Sequence, residues 1–370
     1  MLPPFKLERY FARYEFSLRW LLSASDCESI ALHELLAWSD EECARLWQEL
    51  SLGYTDTRGD ERLRQEIARL YRTISVDNVI VAAPSEAIFL AMHTLLSPGD
   101  HVVALWPAYQ SLYDVARSAG CEVSPWPLHA DNDRWRLDLG ELRTLVTPRT
   151  RMLVINFPHN PTGFLPSQKQ YESLIAIAAE HNLCLFSDEM YRLLEYDPAK
   201  RLQPACDLYE NAISFSGLSK AFGVPGLRTG WLATQRREWL DRCWAFKDYT
   251  TICGSAPSEV LATIALRARE KIVARNLQII GENLAHVDEF FSRSRSLFTW
   301  LRPQAGSVAF PIWRGPISVD ELCKRSIERG LMVVPGSLFD ADESHFRLGL
   351  GRENFPQALA EFSTLCDKVN

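Results

Sequence analysis

The chain has 370 residues, of which 47% are hydrophobic and 24% charged, and it carries a formal net charge of −7. That length accommodates one large domain plus a smaller one, and an acidic balance without a basic block argues against nucleic acid as a partner. No apolar run reaches the length of a membrane span, Met1–Lys6 lacks the order of a secretory signal, and the nine cysteines form no Cys-x-x-Cys pair. A disulfide framework and a metal site are therefore not expected, whereas a cytoplasmic, membrane-free protein is.

From about residue 45 to 245, short apolar runs alternate with longer amphipathic ones. Asp60–Arg72 predicts a helix with Leu63, Ile67, Leu70 and Tyr71 on one side. Strands are predicted at Val79–Ala82, His101–Trp106, Glu122–Trp126, Met152–Phe157, Leu183–Ser187, Ala212–Phe215 and Thr229–Ala233. Ser167 and Gln170 form a capping-box pattern after Pro166. Tyr171, Leu174, Ile175 and Ala178 then recur at helical spacing as one buried stripe. Such alternation predicts an α/β fold, with a mostly parallel seven-stranded sheet sandwiched by helices.

After residue 250 the pattern is that of a smaller α+β domain. A long helical stretch from about Ser255 to Ser292 leads into strands at Phe298–Leu301 and Ser307–Trp313. A second capping-box pattern, Ser318 to Glu321, opens a helix that stops at Gly330. His345–Gly351 reads as a strand and Pro356–Val369 as a closing helix.

Lys220 stands between an apolar strand run and a glycine-punctuated turn, flanked by Leu218, Ala221, Phe222 and Val224. Partial desolvation there lowers a lysine pKa and frees the amine for carbonyl chemistry. A single lysine at such a place more often snorkels from a strand end, but three further motifs fall at compatible positions. They are Asn156-Phe-Pro-His-Asn-Pro-Thr-Gly163, Ser187-Asp-Glu-Met-Tyr191 and His345-Phe-Arg-Leu-Gly-Leu350. Asn-Pro-Thr-Gly alone is only a turn signal; the ordered set is specific.

Together with Lys220, and Arg228 eight positions later, these motifs resemble class I/II aminotransferases, the fold-type I enzymes that use pyridoxal 5′-phosphate. The resemblance runs from about Gly53 to Arg347. It implies a large coenzyme-binding domain over residues 45–250, with residues 1–44 joining 251–370 in the small domain. It implies that Lys220 forms the Schiff base and moves the substrate proton, and that Asp188 keeps the coenzyme's ring nitrogen protonated. Tyr191 and Asn160 match the groups that contact the ring's 3-oxygen, and Tyr109 the aromatic that stacks on the ring. Arg228 matches the arginine of the phosphate cup, Ser85 is the expected hydroxyl donor at a helix N-terminus where amides attract anions, and Ser219 is a further candidate phosphate ligand. Tyr54 matches the tyrosine that reaches the neighbouring subunit's coenzyme phosphate, which implies a homodimer with shared active sites. Arg347 matches the clamp on the substrate α-carboxylate, with Arg352 a weaker candidate. Taken singly, Asp188 reads as a helix cap, and Tyr109, Asn160 and Arg347 as packing, turn and ion-pair residues. His159 reads as a loop side chain, and Cys121 and Cys184 as buried small apolar residues.

Two positions depart from the family pattern. Pro84 stands where a residue with a usable N–H is common, and Gly217 where a phosphate-binding serine is common; Ser219 or Ser216 is expected to compensate. Nearer the N-terminus, the chain reads Leu21-Leu-Ser-Ala-Ser-Asp-Cys27 where many aminotransferases carry an apolar stretch ending in glycine. With Leu7–Phe11, this segment is similar to capreomycidine synthase-like enzymes, which cyclise a modified arginine. The resemblance thus implies an aminotransferase acting on an L-amino acid and a 2-oxo acid, with a lyase or cyclase of the same fold as the alternative. For a cyclase, an acidic residue near the substrate side chain is expected, Asp26 or Glu28. A coenzyme-sensing regulatory module would have no use for Lys220, Asp188 and Arg347 together.

Overall fold

The computed structural model describes residues 2–369. Eight strands form the central sheet: β1 (Val79–Ala82), β2 (His101–Trp106), β3 (Glu122–Asp131), β4 (Arg134–Leu137), β5 (Thr150–Asn156), β6 (Cys184–Asp188), β7 (Ala212–Gly217) and β8 (Gly230–Thr234). Their order is β1-β8-β7-β6-β5-β2-β3-β4. The contiguous strands β7, β6, β5, β2 and β3 are parallel, while β8 runs antiparallel between β7 and β1. Strands β1, β2, β6, β7 and β8 are almost wholly buried. Their unbroken apolar runs need cover on both faces, which helices supply.

β4 lies beyond the seven expected strands. It folds back on an extended β3, pairing Leu128 with Leu137 and Ala130 with Trp135 across a two-residue turn. Asn132 takes a positive φ of 56° in that turn, a conformation its short polar side chain tolerates. Pro125 and Pro127 interrupt β3, and prolines are confined to sheet edges. The hairpin therefore lacks the apolar run that marks the inner strands.

The helices follow the predicted stripes with local differences. The N-terminal segment forms α1 (Lys6–Tyr14), and α2 (Pro84–Leu95) leaves the end of β1. The helix expected to reach Arg72 stops at Ala68. In α3 (Gln168–Glu180) both halves of the Ser167–Gln170 capping box are present and the stripe is buried. The long helical pattern divides at Ala268, whose ψ of 9° interrupts the path between α4 (Ala256–Arg267) and α5 (Arg269–Arg293). Ser318 caps α6 (Val319–Glu328) by accepting from the Glu321 N–H, but the Glu321 carboxylate pairs with Arg325 instead of closing the box.

Toward the C-terminus, the strand expected over 307–313 breaks at Phe310–Pro311. Its first half, Val308–Ala309, pairs with β9 (Phe346–Gly349), and Ile312–Trp313 pairs with Phe298–Thr299. The chain closes with α7 (Phe355–Val369). Trp20–Leu21 pairs in parallel with Leu331–Met332, and the Gly349 N–H donates to Leu22 O at 2.8 Å. An N-terminal strap, residues 22–27, is thereby laid along β9. Among the described residues, no helix is long and apolar enough to cross a membrane.

Candidate active site

Sheet register explains where the reactive side chains meet. Asn156, Asp188 and Phe215 are register neighbours at the carboxyl ends of β5, β6 and β7, the edge where open α/β sheets bind ligands. Two residues further along β7, Gly217, Gly230 and Ala82 form a second row across β7, β8 and β1. Above it lies a cavity of about 440 Å³, whose lining includes Ser85, Tyr109, Asn160, Asp188, Tyr191, Ser219, Lys220, Arg228 and Arg347. Nine of the ten residues singled out in the sequence are thus brought together. Tyr54 is not: it is 92% exposed, in a separate shallow groove with Leu52 and residues 253–257.

The Lys220 ammonium nitrogen donates to Ser25 Oγ at 2.8 Å. Burial lowers its pKa, with Arg347 and Arg228 acting in the same direction and Asp26 and Glu8 against it. Asp188 is closed from water, which pushes its carboxyl up to about 7 against the stabilising Met190 N–H, 3.0 Å away. That bond caps a turn, and no helix follows. Asn156 buttresses the strand ends, donating to Asp188 O at 3.0 Å and accepting from the Asn160 N–H at 2.7 Å. Tyr191 donates to Ser25 O at 3.1 Å, and burial raises its phenol pKa. Tyr109 donates to Glu8 at 2.8 Å.

The departures at Pro84 and Gly217 have one geometric cause. A Cβ on Gly217 would lie 3.0 Å from Gly230 Cα and 3.3 Å from Met190 Sδ; a Cβ on Gly230 would lie 3.2 Å from Pro84 Cγ. These three residues form a close-packed stack beneath the first turn of α2, in which a side chain at 217 would force its neighbours to shift. Ser219 lines the cavity and accepts from Arg228 Nη1 at 3.3 Å. Ser216 instead bonds Glu189 O, away from the cavity lining. Ser85, Ser219 and Arg228 at the head of α2 can together hold a phosphate dianion, and the buried Asp188 suits a protonated ring nitrogen. The donor set fits pyridoxal phosphate.

Arg347, 1% exposed, is held by two donations to Ser23 O, at 2.9 and 3.2 Å, and one to Asn160 Oδ1 at 3.2 Å. Arg352 does not line the cavity; it grips Asp26 at 2.8 Å and lies 3.7 Å from Glu28. Asp26 lines the cavity and Glu28 does not. His159 is buried and neutral, its pKa depressed to about 3 by desolvation, with its Nδ1 against Thr162. Cys121 is buried and Cys184 partly so, both without a disulfide partner.

Sequence reasoning missed Ser25, Glu8, Glu15 and Asn156, all cavity-lining. The strap carried a signal: Ser23 and Ser25 are two apart, and alternate residues of an extended segment share a face. For α1, Leu7, Glu8, Phe11 and Glu15 recur at helical spacing, and all four line the cavity.

The sheet order, the lysine, the buried aspartate and the anion cup define a fold-type I enzyme that depends on pyridoxal 5′-phosphate. Residues 22–360 match the model for aminotransferase class I and II. Capreomycidine synthase of Streptomyces vinaceus is 32% identical over 98% of this chain and 93% of its own length. Arginine–pyruvate transaminase AruH of Pseudomonas aeruginosa is 30% identical over 80% of this chain and 77% of its own. The crystal structure of a PLP-dependent aminotransferase from Streptococcus suis superposes with a TM-score of 0.92 at 30% identity, covering 100% of this chain and 99% of that one. The chain belongs to the class I and II aminotransferase family.

Proposed function

We propose that this enzyme moves an amino group between an L-amino acid with a cationic side chain and a 2-oxo acid. The observation that carries the reading is the convergence of Lys220, Asp188 and Arg347 on one cavity at the carboxyl edge of the sheet. When bound, pyridoxal phosphate supplies the electron sink that lets the Cα–H bond ionise. Lys220 holds the coenzyme through its amine and, once the substrate amine displaces it, carries the Cα proton. Asp188 would hold the ring-nitrogen proton, Tyr191 and Asn160 would hold the ring's 3-oxygen, and Tyr109 would cover the ring. Ser85, Ser219 and Arg228 bind the phosphate. Arg347, prepositioned by Ser23 and Asn160, takes the α-carboxylate with its planar fork.

The cationic side chain is argued from the acidic residues of the cavity lining. Glu8 comes from α1, Glu15 from the residue that ends it and Asp26, paired with Arg352, from the strap, and all line the cavity. The pKa of Glu15 is raised by burial and by Asp26 and Glu8, a repulsion that a bound cation would relieve. A relative named for arginine–pyruvate transamination supports the same class.

A second reading, ring closure on a basic amino acid, is favoured by one observation: the match to capreomycidine synthase spans 98% of the chain. Incubation with a panel of ¹⁵N-amino acids, L-arginine and an arginine carrying a hydroxyl leaving group on its β-carbon included, and pyruvate separates the two. Transfer predicts ¹⁵N-alanine and one equivalent of a new 2-oxo acid; a cyclic product or free ammonia with no labelled alanine would overturn it in favour of the second reading.

We also read residues 45–250 as the large domain, with 1–44 and 251–370 as the small one. The central sheet falling within residues 79–234 and the Trp20–Leu21 pairing with Leu331–Met332 support that division. We further propose a homodimer in which Tyr54 serves the partner's site, a reading its 92% exposure beside Leu52 supports, and a cytoplasmic location.

A further inference from the structure

The strap approaches β9 more closely than side chains allow. A Cβ on Gly349 would lie 1.7 Å from Ala24 O, and one on Gly351 2.3 Å from Asp26 O. Ser23 Oγ bonds Arg347 O and accepts from the Val334 N–H. Ser25 O accepts from both Tyr191 OH and Ser307 Oγ, at 3.1 and 2.8 Å. Ser25 is therefore a clamped residue, and its hydroxyl meets the Lys220 amine at 2.8 Å within the cavity.

We propose that Ser25 is a further catalytic residue, whose hydroxyl holds the Lys220 amine while the lysine is free and fixes the position from which it exchanges a proton with Cα. The assignment rests on Lys220 being the amine that acts on substrate. Ser25 itself gains and loses no proton: Lys220 Nζ takes the proton from Cα and would pass it to the coenzyme carbon that bore the imine, or return it to Cα in simple exchange, while Ser25 Oγ accepts a hydrogen bond from the ammonium. A hydroxyl suits this place because the neighbouring charges oppose one another. The carboxyl groups of Asp26, Glu8, Glu15 and Asp188, the guanidinium groups of Arg228 and Arg347 and the phenol of Tyr191 line the same cavity as the amine, with Asp26 and Glu8 acting on its pKa against Arg347 and Arg228. A neutral acceptor orients the lysine without joining that balance.

The test compares wild type, Ser25→Ala and Ser25→Thr in two measurements. In cofactor-free protein, the pH dependence of Lys220 acylation is read by peptide mass spectrometry. Loss of an acceptor for the ammonium lowers the lysine pKa, so the Ser25→Ala midpoint should fall by about one pH unit, a typical effect of one hydrogen bond to a charged group. In the holoenzyme, washout of substrate Cα deuterium should slow roughly tenfold in Ser25→Ala with KM little changed, and Ser25→Thr should recover most of the rate. An unchanged midpoint with an unchanged washout rate would overturn the proposal. Should the alanine variant not fold, Ser25→Gly carries the same comparison. If wild type exchanges no amino acid, the functional reading fails, while the acylation midpoint still decides the role of Ser25.

Discussion

A carboxyl group sealed at the end of a parallel strand keeps its proton to unusually high pH, and Asp188 occupies such a position. Its folded pKa of about 7 stands above the ordinary aspartate value. Between those two values the unfolded chain has lost the proton that the folded chain keeps. Folding stability from this group is thus full at low pH and falls as pH rises toward 7, by an amount on the order of a few kcal/mol. Asp188→Asn can still accept from the Met190 N–H, so it should abolish that part of the pH dependence in the cofactor-free protein. Turnover should drop roughly 100-fold or more, because an amide cannot hold a ring-nitrogen cation. Urea titrations across pH and a rate assay of the loaded enzyme check the two halves. Lys220 and Asp188 were legible from sequence because their motifs are ordered and local. Ser25 was not, since its contact with Lys220 spans 195 positions and its own neighbours form no motif.

Among the elements, the strap is the one whose geometry is tightest. Gly349→Ala would drive a methyl into Ala24 O, 1.7 Å away, so strap or strand must move. Overpacking of this kind costs about 1–3 kcal/mol, and movement of Ser23 would loosen Arg347. The expected outcome is a lower thermal midpoint together with a raised KM for the amino acid. Gly281→Ala is the control, since it lies in α5 with nothing within 4 Å; it should leave KM alone and stabilise by roughly 0.5–1 kcal/mol. The inner strands were readable because burial on both faces demands continuous apolar runs. The strands at Phe298 and within residues 307–313 were readable in place but not in their break at Phe310–Pro311. Leu331–Met332 was not readable, because its partner Trp20–Leu21 lies far away in the chain. Nor was the β4 hairpin, because prolines interrupt the apolar pattern of β3. Likewise Gly217 was noticed as a departure, but its cause lay in the register that sets it opposite Gly230.

At the scale of the whole molecule, nine candidate residues converge within one chain and Tyr54 alone faces outward. If it completes the partner's site in a two-fold dimer, Lys220→Ala and Tyr54→Ala proteins, each nearly inactive, should complement one another. A mixed dimer then carries one intact site, and random reassortment should restore activity to about a quarter of wild type. No recovery on co-expression would place Tyr54 outside the chemistry. Sequence-level pattern could announce the large unit and its motifs, but not which surfaces meet another copy. Every role assigned in the cavity depends on Lys220 being the amine that binds the coenzyme. The most direct measurement is borohydride reduction of the protein with pyridoxal phosphate, followed by peptide mapping. One coenzyme-derived mass added per chain, on the peptide holding Lys220 and absent from Lys220→Ala, is the result predicted; an unmodified Lys220 peptide, or the mass on another lysine, would contradict it.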